Sequence, residues 1–198
     1  MSAWRDVPTL SGRHVTLRPM VRADREGILS AFDGLHGQFT TIVPDAASFD
    51  GWMAGIESAR EAGRALPFTV LDAEGAIAGV TRFMRMNEPH RRLEIGGTIY
   101  ARRVQRTGLN SEAKKLLLAH AFDVLGANCV QLRTDFLNRE SRRAIERLGA
   151  RFDGVLRGHM ILNGHHRDSV VYSILAHEWA GVRRNLDLLM ARYDGEAA

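Results

Sequence analysis

The 198-residue chain has a single cysteine, Cys129, and only five prolines. One thiol cannot form an intrachain disulfide, so a disulfide-stapled secreted scaffold is excluded and a reducing compartment fits. Aromatic residues are sparse, at 7%, and they form no basic-aromatic stripe of the kind a nucleic-acid surface needs. No uncharged apolar run reaches the roughly 18 residues of a membrane span. The N-terminal segment carries Arg5 and Asp6 and has no apolar centre of signal-peptide length, so a cytoplasmic protein without a membrane partner is expected. Two nucleotide fingerprints are also missing, Gly-x-x-x-x-Gly-Lys-Ser/Thr and Gly-x-Gly-x-x-Gly.

What is present is ordinary globular composition: 45% hydrophobic and 25% charged residues. The length suits one well-filled core, a single domain over 1–198 with a helical C-terminal extension at about 177–193. The net charge of +4 comes from bases interleaved with acids, as in Arg22–Glu26 and Arg139–Glu146. That pattern reads as a solvated basic surface, so no nucleic-acid partner is expected. The His165-His166 doublet beside a turn lacks a spaced third ligand, and no metal is expected.

Strand and helix signals alternate along the chain. Strands are expected at Val15–Arg18, Leu66–Asp72, Ala76–Met86, Leu93–Tyr100, Asn128–Phe136, Gly154–Leu162 and His165–Leu175. Helices are expected at Ala23–Phe32, Ser48–Ala62, Ser111–Leu125 and Ser141–Leu148, the first starting near the cap candidate Asp24. Leu117, Ala121, Val124 and Leu125 would form the core-facing stripe of the third. Asn163-Gly164 is a two-residue hairpin turn. A strict register from that turn opposes His159 to Asp168 and Val155 to Tyr172, on one sheet face. A His–Asp pair with a tyrosine there could orient an amine, or could be a structural cross-strand pair.

The most informative stretch is Gln105-Arg106-Thr107-Gly108-Leu109-Asn110, which runs from a strand into the helix opening at Ser111. The first N–H groups of such a helix lack intrahelical acceptors and point outward at the positive end of its dipole, a ready phosphate site. Arg102, Arg103 and Arg106 stand beside it and favour a polyanion. About thirty residues on lies Asn138-Arg139-Glu140-Ser141-Arg142-Arg143-Ala144-Ile145-Glu146-Arg147-Leu148-Gly149.

Together these segments resemble the GNAT superfamily of acetyl-CoA-dependent N-acetyltransferases. The first matches its pyrophosphate loop, Gln/Arg-x-x-Gly-x-Gly/Ala. The second matches the Asn-x-x-Ser-x-x-Ala-x-x-x-x-Gly helix of the branch that includes the ribosomal-protein N-terminal acetyltransferases. The likeness runs from about Leu10 to Trp179, with Asn110 replacing the small last residue of the loop. It implies an α/β (α+β) fold: a mixed, mostly antiparallel sheet of about seven strands, about four flanking helices and a C-terminal helix. It also implies acetyl-CoA as cofactor, held by Thr98, Ile99, Tyr100, Gln105, Arg106, Thr107, Gly108, Leu109, Asn110, Ser111, Asn138 and Ser141.

The same resemblance assigns chemistry. Glu94 matches a glutamate that some members use as general base, although pairing with Arg85, Arg91 or Arg92 would also explain it. Backbone N–H groups near Thr98–Tyr100 would polarise the thioester, with Gly96-Gly97 permitting the strand distortion or merely close packing. Asn138 is a helix N-cap candidate and would also contact the pantetheine arm. Ser141 would donate to the leaving sulfur. The acceptor, a protein N-terminus or a small primary amine, would be shaped by Phe39, Trp52, His159, Asp168 and Tyr172. Phe32, His36 and Arg157 lie on the same segments. A non-catalytic acyl-CoA sensor or assembly module is the alternative reading. The apolar stripe of the tail, Val182, Leu186, Leu189 and Met190, needs a cover. That cover is either its own domain or the partner of a homodimer.

Overall fold

The computed structural model describes residues 2–37, 40–193 and 195. Eight strands form one sheet: β1 (Leu10–Ser11), β2 (Val15–Pro19), β3 (Leu66–Asp72), β4 (Ile77–Asn87), β5 (Arg92–Tyr100), β6 (Cys129–Asp135), β7 (Arg151–Leu162) and β8 (His165–Leu175). Their order is β1-β2-β3-β4-β5-β6-β8-β7. Every neighbouring pair is antiparallel except β5 and β6. The helices are α1 (Arg25–Ala31), α2 (Phe49–Glu61), α3 (Leu109–Ala119), α4 (Arg139–Arg147) and α5 (Trp179–Ala191). The expected class therefore holds, with one short edge strand, β1, in addition to the seven expected.

Strand β3 is buried at all but one position, the pattern of a strand covered on both faces. One face lies beneath α1 and the buried Asp24. The Asp24 carboxylate accepts from Arg18 (2.5 and 2.8 Å), the Val21 N–H (3.1 Å) and the Thr69 hydroxyl (2.6 Å). It makes no side-chain cap to α1; its hydrogen bonds instead tie the start of the helix to β2 and β3.

The other face is covered by α3, whose buried residues include Leu109, Ala113, Leu117 and Leu118. Its continuation, His120–Val124, is a π-helical turn. One wide turn rotates the residues at its end, which leaves Val124 60% exposed while Ala121 and Leu125 stay buried. The expected stripe is thus corrected at Val124.

Helix α5 runs antiparallel along α3. At its start the Trp179 indole donates to Asp123 (3.0 Å) and stacks on Phe122. Midway, Asp187 pairs with Lys115 (2.6 Å). Just past its end, Tyr193 lies beside Gly108. Trp179, Val182, Leu186 and Met190 are buried by these contacts. The apolar face of the tail is covered within the chain, so the case for a homodimer built on that face loses its support.

The hairpin turn forms as expected, with Asn163 and Gly164 both at positive φ (49° and 79°), and pairs Leu162 with His165. The strict register then breaks between Leu156 and Met160, where Gly158 adopts φ 57°. His159 consequently meets Ser169 (2.9 Å, Nδ1 to Oγ) rather than Asp168. Asp168 accepts from the Gly158 N–H (2.7 Å) and lies 3.7 Å from Arg157. Tyr172 pairs with Phe152, not Val155. The bulge is the physical reason the sequence-derived pairing fails beyond the turn.

Candidate active site

Strands β5 and β6 are paired over three residues only: Arg92 with Cys129, Leu93 with Val130 and Glu94 with Gln131. Beyond Glu94 each strand stays with its other neighbour. β5 remains on β4 as far as Tyr100 paired with Gly79, and β6 remains on β8 as far as Asp135 paired with Ser169. A wedge therefore opens in the middle of the sheet, with Glu94 at its apex.

A bulge in β5 shapes one wall. The register shifts between Val80 and Arg82, and Gly97 sits at φ 57°. A Cβ at Gly97 would come within 2.6 Å of the Arg82 guanidinium, so only glycine satisfies both the backbone and its neighbour. Further along, the Ala101 N–H donates to Ala78 in β4 (2.9 Å). Strand alternation then directs the Tyr100 N–H to the opposite edge, into the wedge.

The wedge is mouthed by two helix starts. Helix α3 begins at Leu109, two residues before the expected Ser111. The loop ahead of it is self-braced: Gln105 donates to the Tyr100 carbonyl (3.1 Å), and the Thr107 hydroxyl bridges the Val104 carbonyl (2.7 Å) and the Leu109 N–H (3.3 Å). Gly108 has an ordinary helical φ of −64°, and a Cβ there would meet His14 and Tyr193 at 3.3 Å. That glycine answers to packing against the protein. Across the wedge, Asn138 caps α4 by accepting the Ser141 N–H (3.0 Å). Arg106, at φ 63°, reaches Glu140 on that helix at 3.6 Å. Arg139, Arg142, Arg143 and Glu146 line a groove of about 300 Å³ beside it.

Glu94 is 3% exposed. Arg85 contacts both of its oxygens (3.0 and 3.1 Å), and the Arg133 Nε lies 3.0 Å away without hydrogen-bond alignment. Burial pushes the carboxyl above its usual range, and the two guanidiniums pull it part of the way back. The expected pairing with Arg85 is present. Arg91 and Arg92 are not the partners.

On the opposite face, Lys114 of α3 is 6% exposed and its ammonium donates to the Thr98 hydroxyl (2.9 Å), which also bonds Thr81 (2.8 Å). Burial lowers the Lys114 pKa to about 7. Of the bases around this site, only Arg85 is legible in the sequence; Lys114, Arg82, Arg133 and Arg167 are not. Their signal was basic residues placed at otherwise core-facing positions of a helix and of apolar strands.

The acceptor residues inferred from the sequence divide. His159 lies on the Glu94 face, and Asp168 belongs to the exposed bulge. Tyr172 is a correction: it is 1% exposed, sits on the face opposite Glu94 beneath α4, and donates to Glu146 (2.7 Å). Trp52 packs against Phe32 and Phe49, with ring centroids 6.2 and 5.4 Å away, so its ring serves the core. Phe39 lies outside the described residues.

Known proteins share this arrangement. A family model described as an acetyltransferase (GNAT) domain matches residues 14–151. The chain belongs to the GNAT family. It is 30% identical over 141 residues to a Bacillus subtilis (strain 168) protein provisionally named as the ribosomal N-acetyltransferase YdaF, covering 71% of this chain and 70% of that one. Spermidine N(1)-acetyltransferase of Escherichia coli (strain K12) is 28% identical over 110 residues, 56% of this chain and 59% of that one. A crystal structure of a GCN5-related N-acetyltransferase from Brucella melitensis superposes with a TM-score of 0.82 at 29% identity, covering 92% of this chain and 85% of that one.

The protein is thus an N-acetyltransferase that uses acetyl-CoA. The residues present fit that cofactor. The parted strands leave backbone groups of β5 without a β6 partner, α3 offers N–H groups for a diphosphate, and the buried Ser111 hydroxyl in its first turn has no hydrogen-bond partner among the described residues. Among the described residues, no helix is long and apolar enough to cross a membrane.

Proposed function

We propose that the enzyme moves the acetyl group to a primary amine, of a protein N-terminus or a small molecule, by direct attack within a ternary complex. The observation that carries this reading is the wedge whose apex holds Glu94. A single carboxylate there faces the parted strands. Acetyl-CoA supplies the thioester carbon that the amine attacks. Thr98, Ile99 and Tyr100 line one wall, and the Tyr100 N–H is set to bind the carbonyl oxygen as charge develops on it. Residues Gln105–Ser111 take the diphosphate, and Asn110 adds a carboxamide at the helix start where a smaller residue is usual.

An amine is mostly protonated at neutral pH, so its proton must leave before attack. Glu94 accepts it, directly or through one water, because burial has raised the proton affinity of its carboxylate. Asn138 fixes the first turn of α4 and with it Ser141, whose hydroxyl donates to the departing thiolate. In this reading residues 1–198 form one acyltransferase domain. The single thiol and the lack of a spanning helix among the described residues support a cytoplasmic location.

The test is release of free thiol from acetyl-CoA with a panel of amines, run beside a thermal shift with coenzyme A. Thiol release that depends on the amine, together with a raised Tm, supports the reading. A raised Tm with no thiol release for any amine would replace it with an acyl-CoA sensor.

A further inference from the structure

The face that carries Glu94 is crowded with guanidiniums. Strand pairing places Arg82, Glu94, Arg133 and Asp135 on that face, since Arg82 pairs with Gly96, Glu94 with Gln131, and Gln131, Arg133 and Asp135 alternate along β6. Arg85 joins them through its contact with Glu94, and Arg167 from β8 closes the set beneath Thr40, whose carbonyl it reaches at 3.5 Å. Thr40 also contacts Asn138 (3.4 Å), so this cluster lies at the mouth of the wedge, where an acceptor must enter.

Its charges do not balance. Glu94 is taken by Arg85 and Arg133, and the buried Asp135 is met by His165 at 2.9 Å. Among the described residues, neither Arg82 nor Arg167 has a carboxylate at ion-pair distance: Glu94 acts on both, and Asp135 on Arg167, only from farther off, and the Nε of each is buried without a hydrogen bond. Desolvation lowers the pKa of both, yet a guanidinium stays charged at any physiological pH. His159, on the same face, is held toward its neutral form by burial and then by Arg133, Arg85 and Arg167. Two half-buried cations without a contacting carboxylate carry a desolvation cost that an incoming anion offsets and an incoming cation deepens.

We infer that the acceptor bears a carboxylate close to its amine, drawn to the guanidiniums of Arg82 and Arg167 that flank Glu94 from β4 and β8, while the amine reaches Glu94. The inference rests on the acetyltransferase reading and narrows it: an acidic amino acid or a peptide with an acidic residue next to its N-terminus fits, and a polyamine does not. Planar bidentate pairing of guanidinium with carboxylate supplies both affinity and orientation.

The experiment compares kcat/KM for the amidated peptides Ala-Glu-Ala-Ala, Ala-Gln-Ala-Ala and Ala-Lys-Ala-Ala, free glutamate, and spermidine. Binding of the acidic peptide and of glutamate to coenzyme A-loaded protein is measured in parallel by calorimetry. The expected result is a preference of at least about tenfold for the acidic peptide or glutamate over the neutral peptide, carried by KM. Spermidine and the lysine peptide should be poorest, and whichever acidic probe leads identifies the source of the carboxylate. Arg82→Gln and Arg167→Gln should each collapse the preference, and Arg82→Lys should keep part of it, which guards against a simple folding defect. Turnover with spermidine favoured, or an acidic preference unchanged in both glutamine variants, overturns the inference. Tight binding of an acidic probe without turnover would support the anion site while removing the enzymatic reading.

Discussion

Lys114 offers a perturbation whose size can be worked out from its surroundings. Its side chain is almost fully buried, one hydroxyl is its hydrogen-bond partner, and burial moves its pKa from 10.5 to about 7. Between those values the unfolded chain binds the proton and the folded chain does not, so stability rises with pH across the window. The penalty is fullest below about pH 7. At 1.36 kcal/mol per pH unit it amounts to about 4 kcal/mol at pH 7 and about 2 kcal/mol at pH 9. Lys114→Met keeps the length and removes the charge. It gives up a hydrogen bond worth about 1 kcal/mol, while Thr98 keeps Thr81. The net gain should be about 3 kcal/mol at pH 7 and about 1 kcal/mol at pH 9. For a chain of this size that is a rise in Tm of roughly 6–12 °C at pH 7 and roughly 2–4 °C at pH 9. Urea unfolding at the two pH values measures it. An equal gain at both, or a loss at pH 7, would refute the claim that the ammonium is held against a desolvation cost.

Two further outcomes can be checked alongside. Glu94→Gln should lower kcat by about 100-fold or more with coenzyme A affinity preserved, and the deficit should narrow as rising pH supplies neutral amine; wild-type turnover across the whole range would place the base elsewhere. Gly79→Ala should destabilise by about 3 kcal/mol or more, because Gly79 sits at φ 149° and a Cβ there would lie 2.1 Å from the Ile99 carbonyl oxygen. A urea midpoint close to wild type for this variant would mean that β4 and β5 can part at low cost.

Local signals in the sequence were enough for seven of the strands and the hairpin turn, and they placed both helix starts around the wedge to within two residues, because each rests on residues near one another. Asn138 and its helix, or Asn163 with Gly164, are examples. What failed was carried by single insertions that composition does not announce. Gly158 slips the pairing of β7 by way of a bulge and separates His159 from Asp168, and the π turn after Ala119 rotates Val124 into solvent. Arg85 apart, the arginine face is illegible in the sequence for a different reason. Arg82, Arg85, Arg133 and Arg167 come from three strands, and only the order in which those strands assemble brings them to one face around Glu94. Lys114 was passed over because a charged residue on a helix ordinarily marks the wet side.

The antiparallel seating of α5 on α3 has an electrostatic consequence. Tyr193, just past the C-terminal end of α5, lies against Gly108 at the N-terminal end of α3, so opposite poles of two helices adjoin and their fields largely cancel a few ångströms away. In the proposed reading a diphosphate would therefore meet the amide groups of α3 only on contact, while the neighbouring bases are already engaged, Arg103 by Asp72, Arg106 by Glu140 and Arg102 by the Gly34 carbonyl. Binding there would then lean on short-range amide contacts, which salt weakens less than it weakens attraction between exposed charges.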